Sequence, residues 1–399
     1  MTEELVDRLG RAFALWRPGP VLVGRDTRAS GPGVEAALIA GLTAAGADVA
    51  RGGVLPTPAV ALLSDEHAAV VSASHNPPEY NGVKFFTDGG RKLTDVEEEE
   101  IEGLLGADAA DGGRVADADR PAQRYVDLVC ERFGGPLEGL RVVVDCANGA
   151  MFEVAPAAFE RLGATVVNIG NRPDGTNINV GCGATNLALV SQVVADSDYD
   201  LGIAFDGDGD RMLAVDSTGQ EVDGDQILAV LTLHLGVDLV AVTSMTNLGF
   251  HRLMEERGVR VLTTDVGDRY VLEALREHGG VLGGEQSGHI VYLQGHTTGD
   301  GLVAAVLLCR ALAEQGTSLA DAAAVMPKFP QARTSVPVRS KEITPELRAE
   351  IDALAKGARV VVRPSGTEPV LRILAEAETP AAAGEVCGRI EALVRRELG

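Results

Sequence analysis

The sequence has few aromatic residues, fewer basic than acidic residues and no long apolar segment. Phe, Trp and Tyr make up 4% of the 399 residues, so the hydrophobic core must consist mainly of Ala, Val and Leu. Lys and Arg number 35 against 58 Asp and Glu, which gives a net charge of −23. This charge argues against a nucleic-acid or membrane-surface partner, because either would require a basic patch. No apolar segment approaches the length that spans a bilayer.

Cysteine is also scarce, and the chain contains no Cys-x-x-Cys pair. The five cysteines are scattered at positions 130, 146, 182, 309 and 387. This arrangement argues against a zinc site and predicts reduced thiols in a cytoplasmic enzyme. The N-terminus has no basic segment followed by an apolar one, so no signal peptide is expected.

The chain is too long for one core, and a threefold pattern predicts how it divides. Each unit contains a strand, a helix, a second strand that begins with glycine, and a third strand that ends in a polar loop. The predicted strands lie at residues 21–28, a strand that ends in polar residues, 46–49 and 70–73, at 142–145, 163–167 and 201–205, and at 240–243, 258–262 and 280–282. The predicted helices between the first two strands of each unit are 33–45, 150–162 and 248–257. Ligands bind at the carboxyl ends of strands in such layers, so the three polar loops should face one cleft.

The predicted fold class is therefore α/β, with three similar α/β domains built on mixed sheets and a smaller C-terminal α+β domain around a central cleft. The expected domain ranges are 1–135, 136–235, 236–328 and 329–399. The last boundary is placed at Lys328-Phe329-Pro330, after which the pattern becomes shorter and more α+β in character.

The first polar loop contains Ser74, beside His75 and followed by Lys84 in the next apolar segment. Pro77-Pro78 and Asn81-Gly82 forbid a helix here and favour tight turns. A serine hydroxyl is a weak nucleophile, so chemistry at Ser74 needs a base, a metal or an attached phosphoryl group. A capped turn without catalytic function is the alternative interpretation.

In the second polar loop, Asp206, Asp208 and Asp210 alternate with glycine. Three carboxylates this close repel one another unless a cation is present, and hard oxygen ligands on a flexible backbone suit Mg²⁺. An EF-hand is excluded, because Arg211 and Ser217 occupy the positions that require Gly and Glu. An acidic surface turn is the alternative.

Two further loops offer groups that suit a phosphorylated sugar. Glu285 and Ser287 provide an acceptor and a hydroxyl for sugar hydroxyls, whereas His289 is interpreted as a structural histidine. The last loop combines a fork-shaped cation, two hydroxyls and a glycine, a set that fits a phosphate dianion. Its residues are Arg363, Ser365, Gly366 and Thr367. Together the four loops predict phosphoryl transfer involving a sugar.

In this order, the four loops resemble the signature loops of the α-D-phosphohexomutase superfamily, and the resemblance extends over nearly the whole chain. The matching segments are residues 72–77, 206–211, 284–289 and 363–369. Within the superfamily the chain is most similar to the bacterial phosphoglucosamine mutases, through Ser72-Ala73, Gln286 and residues 266–270 and 365–369. The resemblance implies interconversion of glucosamine 6-phosphate and glucosamine 1-phosphate, for amino-sugar nucleotides and peptidoglycan precursors. Phosphoglucomutase/phosphomannomutase activity is the nearest alternative.

The resemblance also implies a role for each loop. Ser74 would be phosphorylated, and its phosphate would complete the shell of one Mg²⁺ held by Asp206, Asp208 and Asp210. The phosphoryl group would pass to a hexosamine monophosphate, and the sugar bisphosphate, which also serves as activator, would turn over and return its other phosphate. Glu285 and Ser287 would hold the sugar, and the last loop would hold the phosphate that is not reacting.

Three further residues receive roles from the same resemblance. His75 and Lys84 are the candidate catalytic side chains beside Ser74, with Lys84 either assisting proton transfer or screening phosphate charge. Arg211 is a candidate substrate ligand. The expected partners are hexose and hexosamine phosphates, with no nucleic acid and no membrane, and the expected assembly is a monomer or a homodimer.

The chain departs from the family pattern at two points. Family members normally begin with an extra strand and a Gly-Thr-x-Gly-x-Arg-Gly loop, whereas this chain begins after that point, in a helix predicted for residues 3–16. Thr264-Asp265 precede Val266, where many members have a lysine, which weakens any assignment of a base to this loop. A non-catalytic sugar-phosphate-binding protein and a Mg²⁺-dependent phosphatase therefore remain alternatives.

Overall fold

The computed structural model describes residues 2–107, 112–366 and 368–399. The first sheet and its helices occupy the N-terminal third of the chain. Their elements are α1 (Glu3–Trp16), β1 (Val21–Arg25), α2 (Gly31–Ala44), β2 (Val49–Val54), α3 (Thr57–Leu63), β3 (His67–Val71), β4 (Val83–Thr87), β5 (Arg91–Lys92), α4 (Asp95–Glu102), β6 (Val115–Asp117) and α5 (Pro121–Phe133). The helix predicted for residues 3–16 is confirmed as α1.

Two further α/β units follow along the chain. The second consists of β7 (Arg141–Asp145), α6 (Val154–Arg161), β8 (Thr165–Ile169), α7 (Ala188–Ala195), β9 (Leu201–Phe205), β10 (Met212–Asp216) and β11 (Glu221–Val222). The third consists of α8 (Gly224–Leu235), β12 (Leu239–Thr243), α9 (Leu248–Arg257), β13 (Arg260–Thr264), α10 (Asp268–His278), β14 (Leu282–Gly284), β15 (Ile290–Tyr292), α11 (Gly301–Gln315) and α12 (Leu319–Ala323).

The three α/β sheets share one strand order. The common orders are β4-β3-β1-β2, β10-β9-β7-β8 and β15-β14-β12-β13. In each sheet the last three strands of this order are parallel, and the outer strand pairs antiparallel with its neighbour. The connection from the third parallel strand to the antiparallel strand is in each case one of the predicted polar loops. The repeat inferred from the sequence is therefore a repeat of topology.

The C-terminal unit is smaller and has a different topology. Its elements are β16 (Gln331–Pro337), α13 (Pro345–Leu354), β17 (Arg359–Pro364), β18 (Val370–Glu376) and α14 (Pro380–Leu398). The three strands are antiparallel in the order β16-β18-β17, and the apolar side chains of α13 and α14 pack on one face of the sheet. The predicted fold class, three similar α/β domains and a smaller α+β domain, is confirmed.

The predicted starts of the second strands were wrong by two or three residues. The strands begin at Val49, Thr165 and Arg260 rather than at the glycines that precede them. Gly46, Gly163 and Gly258 have φ angles of 90°, 95° and 70° and form the left-handed turns between helix and strand. A strand residue has negative φ, so these glycines lie outside the sheet.

Two other predicted boundaries were also wrong. The helix predicted for residues 150–162 is shorter and begins at Val154, because Ala147 and Asn148 adopt left-handed conformations in the turn that precedes it. The strand predicted at 280–282 begins at Leu282, after a helix that ends with Gly279 in the left-handed region.

The first three units share a continuous core, whereas the fourth has its own. Buried side chains of one cluster extend from Val70 on β3 through Phe205 on β9 to Val242 on β12, and α11 contributes residues along most of its length. The core of the C-terminal unit is a separate cluster around Leu371 and Ile390. Among the described residues, no helix combines the length and apolar character needed to cross a membrane.

Candidate active site

Ser74 lies where two loops from two different sheets meet. It belongs to the connection between β3 and β4, the serine loop (residues 72–82), and its Oγ donates to Oδ2 of Asp206 at 2.7 Å. Asp206 begins the corresponding connection between β9 and β10, the aspartate loop (residues 206–211). Ser74 is 8% exposed and has a φ of 51° in the left-handed region. The two loops predicted in separate units are thus brought into contact.

The aspartate loop gathers three carboxylates into a buried group. One oxygen each of Asp206, Asp208 and Asp210 lies within 4.8 Å of the other two. Oδ2 of Asp208 accepts hydrogen bonds from Thr57 Oγ1 at 2.5 Å and from Lys84 Nζ at 2.6 Å. Lys84 Nζ also donates to Oδ2 of Asp210 at 3.3 Å. Oδ1 of Asp208 and Oδ1 of Asp210 are buried and have no hydrogen-bond partner among the described residues.

The charges of this group fit a cation. Burial, together with repulsion from Asp210 and Asp208, raises the pKa of Asp206 well above its usual value. Burial would lower the pKa of Lys84, but Asp208 and Asp210 outweigh burial and raise it, so the ammonium stays charged. Two buried carboxylate oxygens without partners are unfavourable unless they are ligands. The three aspartates are therefore a candidate site for a hard divalent cation.

A chain of alternating charges connects the aspartate loop to the first and third sheets. Nδ1 of His289 lies 3.7 Å from Oδ1 of Asp210, and Nε2 lies 3.3 Å from Oδ2 of Asp268, which also pairs with Lys92. Burial would lower the pKa of His289, but Asp268 and Asp210 outweigh burial and raise it to about 9. His289 was interpreted from the sequence as structural. It is buried and ion-paired, and one of its partners is a candidate metal ligand.

His75 and Arg211 flank the same site. Nδ1 of His75 lies 3.3 Å from Oγ of Ser74. Burial and the charge of Arg211 lower the pKa of His75, which favours the neutral imidazole. Nε of Arg211 lies 3.9 Å from Oδ1 of Asp210, and no described residue accepts a hydrogen bond from it. The imidazole can exchange a proton near Ser74, and the guanidinium is available to an anionic ligand.

The third predicted loop, the glutamate loop (residues 284–289), connects β14 to β15 and is hydrogen-bonded to the first residue of β10, directly after the aspartate loop. The backbone N–H of Met212 donates to the carbonyl of Gly288 at 3.0 Å. Oγ of Ser287 lies 3.5 Å from Oε2 of Glu285, and both residues line a cavity of about 650 Å³. Arg333, from the C-terminal unit, also lines this cavity and donates to the side-chain oxygen of Gln286 in the glutamate loop. A carboxylate and a hydroxyl thus line a space that can hold a sugar.

Arg363 lies in a second cavity that adjoins the first. This cavity, of about 420 Å³, is on the face of the fourth sheet, and Met245 and Arg333 line both cavities. Arg372 is directly opposite Arg363 across β17 and β18. Burial and Arg372 lower the pKa of Arg363. Like charges opposite each other are destabilising, so the pair favours an anion between them.

Ser365 and Gly366 of the fourth loop do not line either cavity. Ser365 is 2% exposed, and its Oγ accepts the backbone N–H of Glu368 at 3.3 Å, within its own loop. Gly366 is exposed, and neither residue is among the lining of the two cavities. Thr367 lies outside the described residues. Arg363 is thus the predicted member of this loop that the structure places beside the sugar cavity.

Sequence reasoning missed several residues that hold these loops. Arg25-Asp26-Thr27-Arg28 was described as the polar end of a strand, yet Asp26 and Arg28 are fully buried beside the serine loop. Thr57, at the start of α3, bonds to Asp208 through its side chain and its backbone N–H. The sequence did contain a signal for Asp26 and Arg28. Charged residues at the carboxyl end of a buried strand lie where ligands bind in α/β layers. Thr57 carried no such signal.

Comparison with family models identifies four domains in this chain. They are described as phosphoglucomutase/phosphomannomutase α/β/α domains I, II and III and the C-terminal domain. The matched residues are 1–110, 123–219, 223–329 and 314–393 respectively. Together they cover well over half of the chain and include all four loops.

Named relatives match over nearly the full length. The chain is 45% identical to a phosphoglucosamine mutase of Pelotomaculum thermopropionicum, with 98% of this chain and 95% of the relative covered. It is 49% identical to a phosphoglucosamine mutase of Saccharopolyspora erythraea, with 94% and 89% covered. A crystal structure of a phosphoglucomutase/phosphomannomutase family protein from Burkholderia thailandensis has a TM-score of 0.83 and 25% identity, with 99% and 93% of the two chains covered.

Proposed function

The chain belongs to the phosphoglucomutase/phosphomannomutase family, and we propose that it interconverts glucosamine 6-phosphate and glucosamine 1-phosphate through a phosphorylated Ser74. Two observations support the substrate: relatives at 45% and 49% identity are named phosphoglucosamine mutase. The observation that carries the reaction is the 2.7 Å hydrogen bond from Ser74 Oγ to Asp206 Oδ2. It places a nucleophilic hydroxyl on the edge of a three-carboxylate cluster, as phosphoryl transfer requires.

Asp206, Asp208 and Asp210 would hold one Mg²⁺, with a phosphate oxygen on Ser74 as a further ligand. When bound, the ion neutralises charge on the oxygens of the phosphoryl group in transfer. Lys84 is already held between Asp208 and Asp210, and its raised pKa favours charge screening over proton transfer. Of the two candidate catalytic side chains, His75 would then be the proton acceptor, since its Nδ1 lies 3.3 Å from Ser74 Oγ.

The reaction is balanced over two transfers. In the first, the bond between phosphorus and Ser74 Oγ breaks, and a bond forms between phosphorus and the free hydroxyl oxygen at carbon 1 of glucosamine 6-phosphate. The proton of that hydroxyl passes to the protein, and the product is the 1,6-bisphosphate. After the intermediate turns over, the bond to oxygen 6 breaks, phosphorus bonds again to Ser74 Oγ, and oxygen 6 takes up a proton. The overall change is an isomerisation.

The remaining loops would hold the sugar in either orientation. Glu285 and Ser287 would accept and donate hydrogen bonds to sugar hydroxyls in the larger cavity. Arg211 would bind the phosphate nearest the aspartate loop. The distant phosphate would lie against Arg363, Ser365, Gly366 and Thr367, and Arg372 extends this set, since it shares the cavity of Arg363.

We also propose four domains, at residues 1–135, 136–235, 236–328 and 329–399, with α8 at the boundary between the second and the third. We propose a cytoplasmic location, which the free state of the five cysteines supports. A monomer or homodimer remains the expected assembly.

The test is an isomerase assay on glucosamine, glucose and mannose phosphates with a trace of the matching bisphosphate. Glucosamine 6-phosphate should be converted fastest, and Ser74→Ala should remove the activity. Faster conversion of glucose or mannose phosphate would replace the proposed substrate by the nearest alternative. Net release of inorganic phosphate would indicate a phosphatase, and absence of turnover on every sugar would indicate a sugar-phosphate-binding protein.

A further inference from the structure

Arg28 is a fully buried arginine whose every donor is occupied. It follows β1, is 0% exposed and is the largest of the fully buried side chains among the described residues. Nε donates to Oδ2 of Asp26 at 2.9 Å. The other donors bond to main-chain carbonyls of the serine loop, at Ser74 (2.9 Å), Asn76 (2.8 Å), Pro77 and Tyr80 (3.0 Å). A guanidinium has five N–H donors, and all five are used.

A buried charge is unfavourable unless it is paired and hydrogen-bonded, and here one carboxylate supplies the pairing. Asp26 is 0% exposed, and its Oδ1 accepts the backbone N–H of Arg28 at 3.0 Å. Its Oδ2 also accepts Ser72 Oγ at 2.7 Å, and Ser72 Oγ accepts the backbone N–H of Ser74 at 2.9 Å. Arg28 therefore fixes the carbonyl of Ser74 directly, and Asp26 fixes its N–H through the hydroxyl of Ser72.

These bonds act on a residue in an uncommon conformation. A non-glycine residue with φ of 51° is held there only when its surroundings fix it. The N–H of Ser74 is fixed by Ser72, and its carbonyl accepts both Arg28 Nη2 and Asn179 Nδ2, each at 2.9 Å. In this conformation the hydroxyl lies at Asp206. A relaxed φ would turn the hydroxyl away from the carboxylate cluster.

We propose that Arg28 is a positioning residue for phosphoryl transfer, which gathers four carbonyls of the serine loop on one guanidinium and so fixes Ser74 Oγ at the aspartate loop. The proposal rests on the proposed function in one respect, that Ser74 carries the phosphoryl group. Arg28 donates to none of the three aspartates, and it meets Ser74 through the main-chain carbonyl rather than the hydroxyl. It acts through the backbone of Ser74.

The expected effect is on the rate of transfer rather than on substrate binding. A displacement of about 1 Å in a reacting group lowers kcat by about 100-fold. Glu285, Ser287 and Arg363 lie on other sheets, so KM should stay within about twofold in a variant that only loosens the serine loop. A purely structural role would reduce the folded fraction and leave kcat per folded molecule unchanged.

The principal variant is Arg28→Lys, which keeps the positive charge but cannot bond to four carbonyls and a carboxylate at once. Arg310→Lys is the matched control, because Arg310 also donates to a main-chain carbonyl, that of Phe133 at 3.0 Å, and lies 3.5 Å from the carboxylate of Glu314. Asn179→Ala is the second variant. It removes the other donor to the Ser74 carbonyl, together with a bond to the carbonyl of Asn76 at 3.2 Å, and leaves the buried ion pair of Arg28 and Asp26 in place.

Two properties are measured for each variant that shows a cooperative melting transition and is therefore folded. The first is the rate at which glucose 1,6-bisphosphate phosphorylates Ser74, followed by intact mass. The second is amide hydrogen exchange of Ser74, Asn76 and Tyr80, whose N–H groups are hydrogen-bonded within the serine loop, and this readout needs no catalytic activity. We expect Arg28→Lys to slow phosphorylation by about 100-fold, Asn179→Ala by about 10-fold and Arg310→Lys not at all, with faster exchange in the first two.

Wild-type rates of phosphorylation and exchange in folded Arg28→Lys would overturn the proposal. If Arg28→Lys does not fold, the same two measurements on Asn179→Ala decide it. If the wild-type protein is never phosphorylated, the proposed function fails. The exchange measurement then still tests whether Arg28 fixes the serine loop, and unchanged exchange in the variants rejects it.

Discussion

Nζ of Lys84, on the first sheet, lies 2.6 Å from Oδ2 of Asp208, on the second. The ammonium is held by two candidate metal ligands, since it also donates to Asp210 at 3.3 Å. Three aspartates, a phosphoserine dianion and one Mg²⁺ would sum to a charge of about −3. Lys84 therefore offsets part of a negative charge that the buried site would otherwise carry uncompensated.

Replacing Lys84 by Met should lower kcat by about 100-fold, because a fixed positive charge at the transferring phosphoryl group is lost. Steady-state kinetics on glucosamine 6-phosphate measure the effect. Lys356→Met is the control, since Lys356 is exposed on the C-terminal unit. Equal kcat values in the two variants would show that the charge of Lys84 does not contribute to phosphoryl transfer.

Binding of Mg²⁺ should stabilise the fold through the three aspartates. At a concentration about 100 times its Kd, the ion should raise the free energy of unfolding by about 2.7 kcal/mol. Chelation with EDTA should reverse this gain and abolish activity. Denaturant titrations with and without Mg²⁺ measure it, and Asp208→Ala should show no gain. An undiminished gain in that variant would place the ion elsewhere.

Arg372→Ala should weaken substrate binding as Arg363→Ala does. Loss of a charge-assisted hydrogen bond to phosphate costs about 1.5–3 kcal/mol, so KM should rise about 10- to 100-fold with a smaller change in kcat. Arg372 also pairs with the exposed Glu368 at 3.1 Å, and loss of such a surface pair costs at most about 1 kcal/mol, so the unliganded protein should be little destabilised. KM values and melting temperatures of both variants check this. An unchanged KM for Arg372→Ala would show that Arg372 does not contribute to phosphate binding.

Asp225 predicts a pH dependence of stability. Burial and the nearby charge of Asp223 raise the pKa of Asp225 from 3.8 to about 7. A folded pKa above the unfolded one means that the native state retains the proton, so this contribution is full below about pH 4 and is lost as the pH rises to about 7. The loss amounts to at most about 4 kcal/mol.

Asp225→Asn should therefore be more stable than the wild type at pH 8 and show a flatter profile between pH 4 and pH 7. Its amide oxygen can still accept the backbone N–H of Asn247, which donates to Asp225 at 2.8 Å. Denaturant titrations at several pH values test this. Asp352→Asn, at an exposed position, is the control and should leave the profile as it is.

Much of the fold could be predicted because the signals are local. The apolar strands that end in Ser74 and Asp206 stand out against polar loops, and the helix at residues 248–257 was placed with the bounds that the structure has. The glycines before the second strands led to wrong strand starts. A glycine that ends a helix cannot be distinguished in the sequence from one that begins a strand, because the φ angle is not known. The strand order common to three sheets follows from the repeat.

The parts that could not be predicted depend on residues distant in the chain. Lys92 of the first unit pairs with Asp268 of the third, and His289, also of the third unit, contacts Asp210 of the second. Nothing near Arg28 indicates that its guanidinium reaches four carbonyls of a loop that begins at Ser72. Sequence patterns therefore located the reacting groups, and the side chains that hold them became visible in the folded structure.

The most direct test of the account is to follow the phosphoryl group on Ser74. Protein phosphorylated with the bisphosphate is mixed with one equivalent of glucosamine 6-phosphate, and its intact mass and the sugar products are measured over time. The account predicts that the protein loses one phosphoryl group from Ser74 as glucosamine 1,6-bisphosphate appears, and that Ser74→Ala carries none. A phosphoryl group found on another residue, or released as inorganic phosphate without a sugar bisphosphate, would contradict it.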